Sequence, residues 1–255
     1  MEGHMEPKLS IVIPAYNEER RIGRSLESIC DYMKGSGPYE LIVVDDGSSD
    51  STAGVVREAM EKHPAISILQ NNVNKGKGYS VRRGVLSSRG RFVLMSDADL
   101  STPIEEIEKL HKELGEGYDI SIGSRAVSGS MILKRQTWYR QLMGKTFNKF
   151  VQVFAVWGIN DTQCGFKLFN GYAARAIFSM QKIDRFAFDA EALYLAKRMG
   201  FSIKEVPVVW VNSPDSKVSI LNDSPQMLKD LLMVRFYHFR PMQERALNPL
   251  YPKEA

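Results

Sequence analysis

Apolar residues fall along the chain in short runs that alternate with stretches of helical spacing. Leu9-Ser10-Ile11-Val12-Ile13-Pro14 is a β-branched run halted by proline, and Ile22, Leu26, Ile29 and Met33 follow at the repeat of one helix face. Tyr39 to Val44 repeats the strand pattern and closes in Asp45-Asp46-Gly47-Ser48-Ser49-Asp50, where Asp50 or Ser51 can cap a helix carrying Val55, Val56, Ala59 and Met60. The unit recurs with Ile66 to Leu69, the turn-rich Asn71 to Gly78, a helix around Val81 to Leu86 and the strand Phe92 to Met95. Thr102-Pro103 ahead of Glu105 and Glu106 starts another helix, because proline suits the first turn and acids favour its positive end. Asp119 to Gly123 is the next strand. Beyond it the alternation lapses until Gly165 to Phe169, a helix near Ala190 to Met199 and a strand over Val206 to Val211. Met227, Leu228, Leu231, Leu232, Arg235 and Phe236 then mark an amphipathic helix ending near Arg240-Pro241.

Strands alternating with helices over short connections predict an α/β fold with a Rossmann-like, mostly parallel sheet. The expected organisation is a catalytic domain over residues 8–222 with an elaborated second half, followed by an amphipathic helix and tail over 223–255. Residues 1–7 read as an expression remnant. With 44% apolar and 25% charged residues in a chain of 255, disorder and fibrous classes are excluded. A net charge of +4 is too mild to imply nucleic-acid binding. Cys30 and Cys164 are too few for a zinc site and too distant for a redox pair, so a reducing cytoplasm is expected. No stretch approaches the roughly 18 apolar residues of a membrane span.

In open α/β sheets ligands sit beyond the carboxyl ends of the strands. Three such ends are polar: Pro14-Ala15-Tyr16-Asn17-Glu18, Asp45-Asp46 and Asp97-Ala98-Asp99. None carries the glycine fingerprint of a dinucleotide site or of a P-loop. Asp97 and Asp99, two apart after an apolar strand, suit Mg²⁺ or Mn²⁺ bridging a diphosphate; the plainer alternative is a turn preceding a helix. Tyr16 can stack on a nucleobase, and Asp45 or Asp46 can accept from a ring N–H, a donor that uracil and guanine both offer. Lys75 and Lys77 lie in a glycine-bearing loop able to approach a nucleotide.

These segments, with Asn74-Lys75-Gly76-Lys77-Gly78 and Gly123-Ser124-Arg125, resemble in order and spacing the family-2 glycosyltransferases of GT-A fold, over about residues 9 to 220. Within that family the likeness is to polyprenyl-phosphate sugar transferases. Asp161-Thr162-Gln163-Cys164-Gly165-Phe166-Lys167 and Ser216-Lys217-Val218-Ser219 resemble the dolichyl-phosphate glucosyltransferase branch. The resemblance implies that Pro14, Ala15, Tyr16, Glu18, Asp45, Asp46, Lys77 and Ala98 line the nucleotide, that Asp97 touches ribose or sugar, and that Asp99 ligates the metal. Ser101 stands where mannosyl relatives commonly carry Gln.

Between Ser121 and Asn160 there is no acidic residue and there are six basic ones, Arg125, Lys134, Arg135, Arg140, Lys145 and Lys149. Together with Trp138, Phe147, Phe150, Val151, Phe154 and Trp157 they suit a phosphorylated acceptor at an anionic membrane surface, or a core helix with a solvated basic edge. A phosphate monoester is mostly a dianion at neutral pH and attacks without a base. The expected reaction is therefore in-line displacement at C1 by a lipid phosphate held by Arg125, Arg135, Arg140 and Gln163, with Lys217 closing over the diphosphate. An alcohol acceptor would need a base, a role open to Asp161, Asp189 or Glu191; Asp189 and Glu191 stand at a helix start after Phe186-Ala187-Phe188, where capping is an equal explanation. His63, His111 and His238 lack ligand spacing and are expected at the surface. The expected donor is UDP-glucose and the acceptor dolichyl or polyprenyl phosphate, at the cytoplasmic membrane face by peripheral contact. GDP-mannose, a soluble acceptor, or a nucleotide-sugar binding module without turnover are the alternatives.

Overall fold

The computed structural model describes residues 7–134, 150–152, 156–211 and 220–239. Its main sheet has seven strands in the order β3-β2-β1-β4-β7-β5-β8. They are β1 (Leu9–Ala15), β2 (Tyr39–Asp45), β3 (Ile66–Gln70), β4 (Phe92–Met95), β5 (Ile120–Ser124), β7 (Lys167–Asn170) and β8 (Ile203–Pro207). A ribbon of β6 (Met131–Lys134) and β9 (Val209–Val211) stands apart from it. The helices are α1 (Ile22–Tyr32), α2 (Thr52–Lys62), α3 (Lys77–Ser87), α4 (Ile107–Gly115), α5 (Gly171–Met180), α6 (Phe188–Arg198) and α7 (Ile220–Tyr237).

The central strands are buried on both faces, as continuous apolar runs require. Ile11, Val12, Ile13, Leu41, Val43, Val44, Val93 and Leu94 are fully enclosed. One core lies under α1 and α4, with Leu26, Ile29 and Leu110 packed on Ile11, Leu41 and Leu94. The other lies under α3, α5, α6 and α7, where Val81, Phe178, Leu193, Leu231 and Val234 meet Val12 and Val93. The last helix thus completes a core, and it begins at Ile220, just ahead of the expected boundary.

Strand β7 runs antiparallel to both its neighbours, β4 and β5. Reached after a long excursion, it carries its leading residues, Cys164 to Lys167, to the edge where β4 and β5 end. The strand expected over Val206 to Val211 is two strands in different sheets. Pro207, which has no N–H to donate, ends the edge strand β8, and β9 turns away to pair with β6. His238 is a correction to the sequence reading: it is 5% exposed and bonded inside the protein. Arg135, Arg140 and Lys217, with Trp138, Phe147 and Phe154, lie outside the described residues.

Helix α3 approaches the sheet through Gly84, where a Cβ would stand 2.4 Å from Val12 Cγ1 and 3.0 Å from Val44 Cγ2. Alanine gains about 1 kcal/mol of helix propensity over glycine, whereas overpacking costs about 1–3 kcal/mol. Gly84→Ala is therefore expected to lower stability by about 1–2 kcal/mol in chemical denaturation; a more stable variant would contradict this packing.

Candidate functional site

The carboxyl ends of β1, β2, β4 and β5 open on one edge of the sheet, and the loops that follow them are clasped together. Asn17, at φ 53°, accepts from Ser49 N at 2.8 Å through its side chain, and its own N–H donates to Ser48 Oγ at 2.9 Å. Glu18 N donates to Thr52 Oγ1 at 2.7 Å. Asp46 N donates to Ala15 O at 2.8 Å, binding the two strand ends directly. Tyr16 remains 39% exposed above this clasp, its ring available to a planar ligand.

The acidic pair after β2 is buried, and each member organises a loop. Asp46 accepts from Asn71 Nδ2 at 2.7 Å, Lys75 N at 2.9 Å and Gly76 N at 2.8 Å, fixing residues 71–76. Asp45 accepts from Ser48 N and from Gln70 Nε2, both at 3.1 Å. With about four lone-pair sites on a carboxylate, Asp45 keeps more acceptor capacity than Asp46.

At the end of β4, Asp97 Oδ1 accepts from Lys77 Nζ at 2.6 Å. Burial works against the charge on Asp97, yet Lys77, with Lys167 and Arg125 nearby, holds its carboxyl below the usual carboxylate range. Burial likewise opposes the Lys77 ammonium, and Asp97, Asp189 and Asp99 outweigh it, so that Lys77 sits above the ordinary lysine value. Asp99 Oδ1 accepts from Ser101 N at 3.0 Å, and its Oδ2 lies 3.5 Å from Arg21 Nη1. Ala98, between them, is buried and its carbonyl accepts from Ser25 Oγ at 2.7 Å. Among the described residues no three His, Cys, Asp or Glu side chains gather as a self-sufficient metal cage. Two oxygen-donor carboxylates nonetheless fit a hard divalent cation that completes its shell from diphosphate and water.

Asp161 and Arg125 form the next pair. Arg125 gives Nε to Asp161 Oδ2 at 2.7 Å and Nη2 to Oδ1 at 2.8 Å, and its backbone N–H also donates to Oδ2, at 2.9 Å. Burial opposes both charges; their mutual attraction prevails, lowering Asp161 and raising Arg125 from their ordinary values. The guanidinium also lies 5.4 Å from the centre of the Trp210 ring. Gln163 follows, and its Nε2 is buried without a hydrogen-bond acceptor among the described residues. Asp189, at the start of α6, accepts from Lys167 Nζ at 2.5 Å, and that ammonium also donates to Cys164 O at 2.5 Å. Asp161 and Asp189 are thus each committed to a cation, and Glu191 to backbone N–H groups and His238.

Three residues of this cluster were given no role in the sequence reading, although Gly165 and Lys167 lie within the segment Asp161 to Lys167 quoted there. Arg21 pairs with Glu18 through Nε and Nη2, both at 2.7 Å, and reaches Asp99; its signal was the i, i+3 spacing to Glu18. Lys167 is fully buried, and its signal was a lone cation inside the apolar run Phe166 to Phe169. Gly165 leaves room for Asp97: a Cβ there would stand 2.1 Å from the carboxylate oxygen Oδ2.

Comparison with known proteins supplies the family and the fold. The sequence family described as Glycosyl transferase family 2 matches residues 10–178. A dolichyl-phosphate beta-glucosyltransferase of Dictyostelium discoideum is 40% identical over 242 residues, covering 89% of this chain and 74% of that protein. A human protein of the same description is 36% identical over 259 residues, covering 94% and 80%. Among solved structures, glucosyl-3-phosphoglycerate synthase of Mycobacterium tuberculosis, in complex with Mn²⁺, UDP-glucose and phosphoglyceric acid, superposes with a TM-score of 0.66 at 18% identity, covering 93% and 81%. A mannosyltransferase of Pyrobaculum calidifontis in complex with GDP-Man and Mn²⁺ gives 0.57 at 21% identity, covering 84% and 59%. The fold is GT-A, a mostly parallel sheet flanked by helices. The chain belongs to glycosyl transferase family 2.

Two outcomes are expected from the buried pairs. Lys167→Met leaves Asp189 buried and unpaired, which costs about 3–5 kcal/mol, while Lys167→Met with Asp189→Leu recovers most of that loss; equal stabilities in denaturant titrations would refute the pairing. Because the folded pKa of Asp161 is depressed, its stabilising contribution is complete above the unfolded value of about 4 and is lost as pH falls through the lower folded value. Stability measured from pH 6 to pH 2 should accordingly fall less steeply in Asp161→Asn than in the parent protein.

Proposed function

We propose that the enzyme transfers glucose from UDP-glucose to dolichyl or a related polyprenyl phosphate. The observation that carries this reading is the cluster at the end of β4, where Asp97 is faced by Lys77 and lies within the electrostatic reach of Lys167 and Arg125. Such a site combines carboxylates for a sugar and a cation with fixed positive charge for two phosphate-bearing substrates. The names of the relatives at 35–40% identity supply the sugar and the lipid. The alternatives, GDP-mannose, a soluble acceptor or a binding module, gain no comparable support.

Tyr16 stacks on the base, with Asp45 accepting its ring N–H and Asp46 holding the loop that carries Lys77. Pro14, Ala15 and Ala98 form the wall behind the nucleotide, and Glu18 orients Arg21 toward Asp99. Asp99, with Asp97 beside it, would hold a divalent cation, Mg²⁺ or Mn²⁺. When bound, that ion supplies Lewis-acid stabilisation of the departing diphosphate. On the acceptor side, Arg125 and Gln163 receive the lipid phosphate; Arg135, Arg140 and Lys217, the further candidates for the two phosphate groups, lie outside the described residues. A phosphate oxygen attacks C1 in line as the bond from C1 to the diphosphate breaks; the electron pair leaves with UDP, and the configuration at C1 inverts. The attacking group is already an anion, so no proton needs a protein base. Asp189 serves as the counter-charge of Lys167 and Asp161 as that of Arg125.

No helix among the described residues is long and apolar enough to cross a membrane. Exposed apolar side chains nonetheless gather on β6, at Met131, Ile132 and Leu133, and on α7, at Leu232 and Phe236, with Lys229 and Arg235 exposed beside the latter. They support peripheral contact with the bilayer that carries the acceptor. Incubation with Mn²⁺, UDP-glucose and a short-chain polyprenyl phosphate is expected to release UDP and yield a hexosyl lipid, while Asp99→Ala cuts the rate by about 10²–10³-fold. UDP release with the lipid unmodified would overturn the acceptor assignment.

A further inference from the structure

The end of the last helix is riveted to the donor side of the site through a carboxylate that the reaction does not use. Glu191, in the first turn of α6, is fully buried. It accepts from Lys182 N at 3.0 Å and from Ile183 N at 2.8 Å, and His238 Nε2 lies 2.6 Å from its Oε1. His238, one residue beyond α7, is buried as well. Lys182 Nζ donates to Tyr237 O at 3.1 Å, and Arg198 Nη1 donates to His238 O, so that the helix end and residues 182–183 form one knot. A carboxylate enclosed this fully needs every donor it has, and His238 supplies the one that comes from a separate element.

The other side of that knot lies against the start of α3. Gln181 Nε2 donates to Gly78 O at 3.0 Å, and Tyr79 N donates to Asp184 O at 3.0 Å. Arg82 pairs with Asp184 Oδ1 at 3.0 Å. At Gly76, φ +102°, a Cβ would stand 2.4 Å from Asp184 O, and at Gly78 one would stand 2.5 Å from Ile183 O. Backbone therefore meets backbone with no slack on either side of Lys77, whose ammonium rests on Asp97 at 2.6 Å. Any displacement of residues 182–184 must displace Lys77.

We infer that His238 and Glu191 are positioning residues for donor binding: by holding residues 182–184 in place, they set where Lys77 stands relative to Asp97. This rests on the reading of Lys77 and Asp97 as donor-side groups. The test measures UDP-glucose affinity by calorimetry in the presence of Mn²⁺, together with separate KM values for donor and polyprenyl phosphate, in the full chain and in His238→Leu, His238→Gln and Lys77→Met. His238→Leu is expected to weaken UDP-glucose binding about 3- to 30-fold while the acceptor KM stays within about twofold. His238→Gln, which keeps an N–H donor, is expected to restore most of the affinity. In the Lys77→Met background, His238→Leu should add little. Should His238→Leu fail to fold, His238→Asn, with a shorter donor, takes its place with an intermediate loss expected. Weakened binding in Lys77→Met alongside unchanged binding in the folded His238 variants would overturn the positioning role alone. Unchanged binding in Lys77→Met would overturn the donor-side reading of Lys77, and the route from His238 with it.

Discussion

Charge balance at the carboxyl ends of the central strands, deepest at Lys167 and Asp189, governs this molecule. At one edge of the sheet Asp97, Asp161 and Asp189 meet Lys77, Arg125 and Lys167, and each carboxylate has its own cation at hydrogen-bond distance. Removing an ion from water costs several kcal/mol, recovered only where a partner of opposite sign is well placed. The cluster is therefore held to a narrow geometry by its own electrostatics. The loops after β1 and β2, the glycines flanking Lys77 and the entry to β7 are all arranged so that these three pairs can close.

The antiparallel strand makes this possible. A sheet wound only from parallel strands would bring the amino-terminal end of β7 to the far side of the molecule. Because β7 runs against β4 and β5, its leading residues arrive beside their carboxyl ends. Gly165 then faces the Asp97 carboxylate, Lys167 reaches Asp189, and Asp161 closes on Arg125. Chemistry from the first and second halves of the chain converges there without a separate substrate domain.

Much of the first half was legible in the sequence because each element obeys one local rule. The apolar runs before Pro14, Asp45 and Ser96 and the helical repeat from Ile22 to Met33 correspond to β1, β2, β4 and α1. The acidic positions at the strand ends were visible for the same reason, since a run of buried residues stops where polar ones begin. The second half was harder to read. Nothing local distinguishes an antiparallel strand from a parallel one at Lys167 to Asn170, and the division at Pro207 depends on a partner strand some 75 residues earlier in the chain. Glu191 illustrates the limit in the site itself. An acid in the first turn of a helix reads as a cap or a base, and only the fold shows that its donors come from residues 182–183 and 238.

The late arrival of Lys167 has a consequence for how the protein is made. A ribosome delivers β1 to β5, with Asp97 and Arg125, well before it delivers Asp161, Lys167 and Asp189. Until then β4 and β5 lack the strand that lies between them. The nascent chain thus holds Asp97 with its partner Lys77 while the facing edges of β4 and β5 stay open, and closure of the sheet must wait for the carboxy-terminal third to leave the exit tunnel. The three ion pairs are complete only once β7 and α6 have been made.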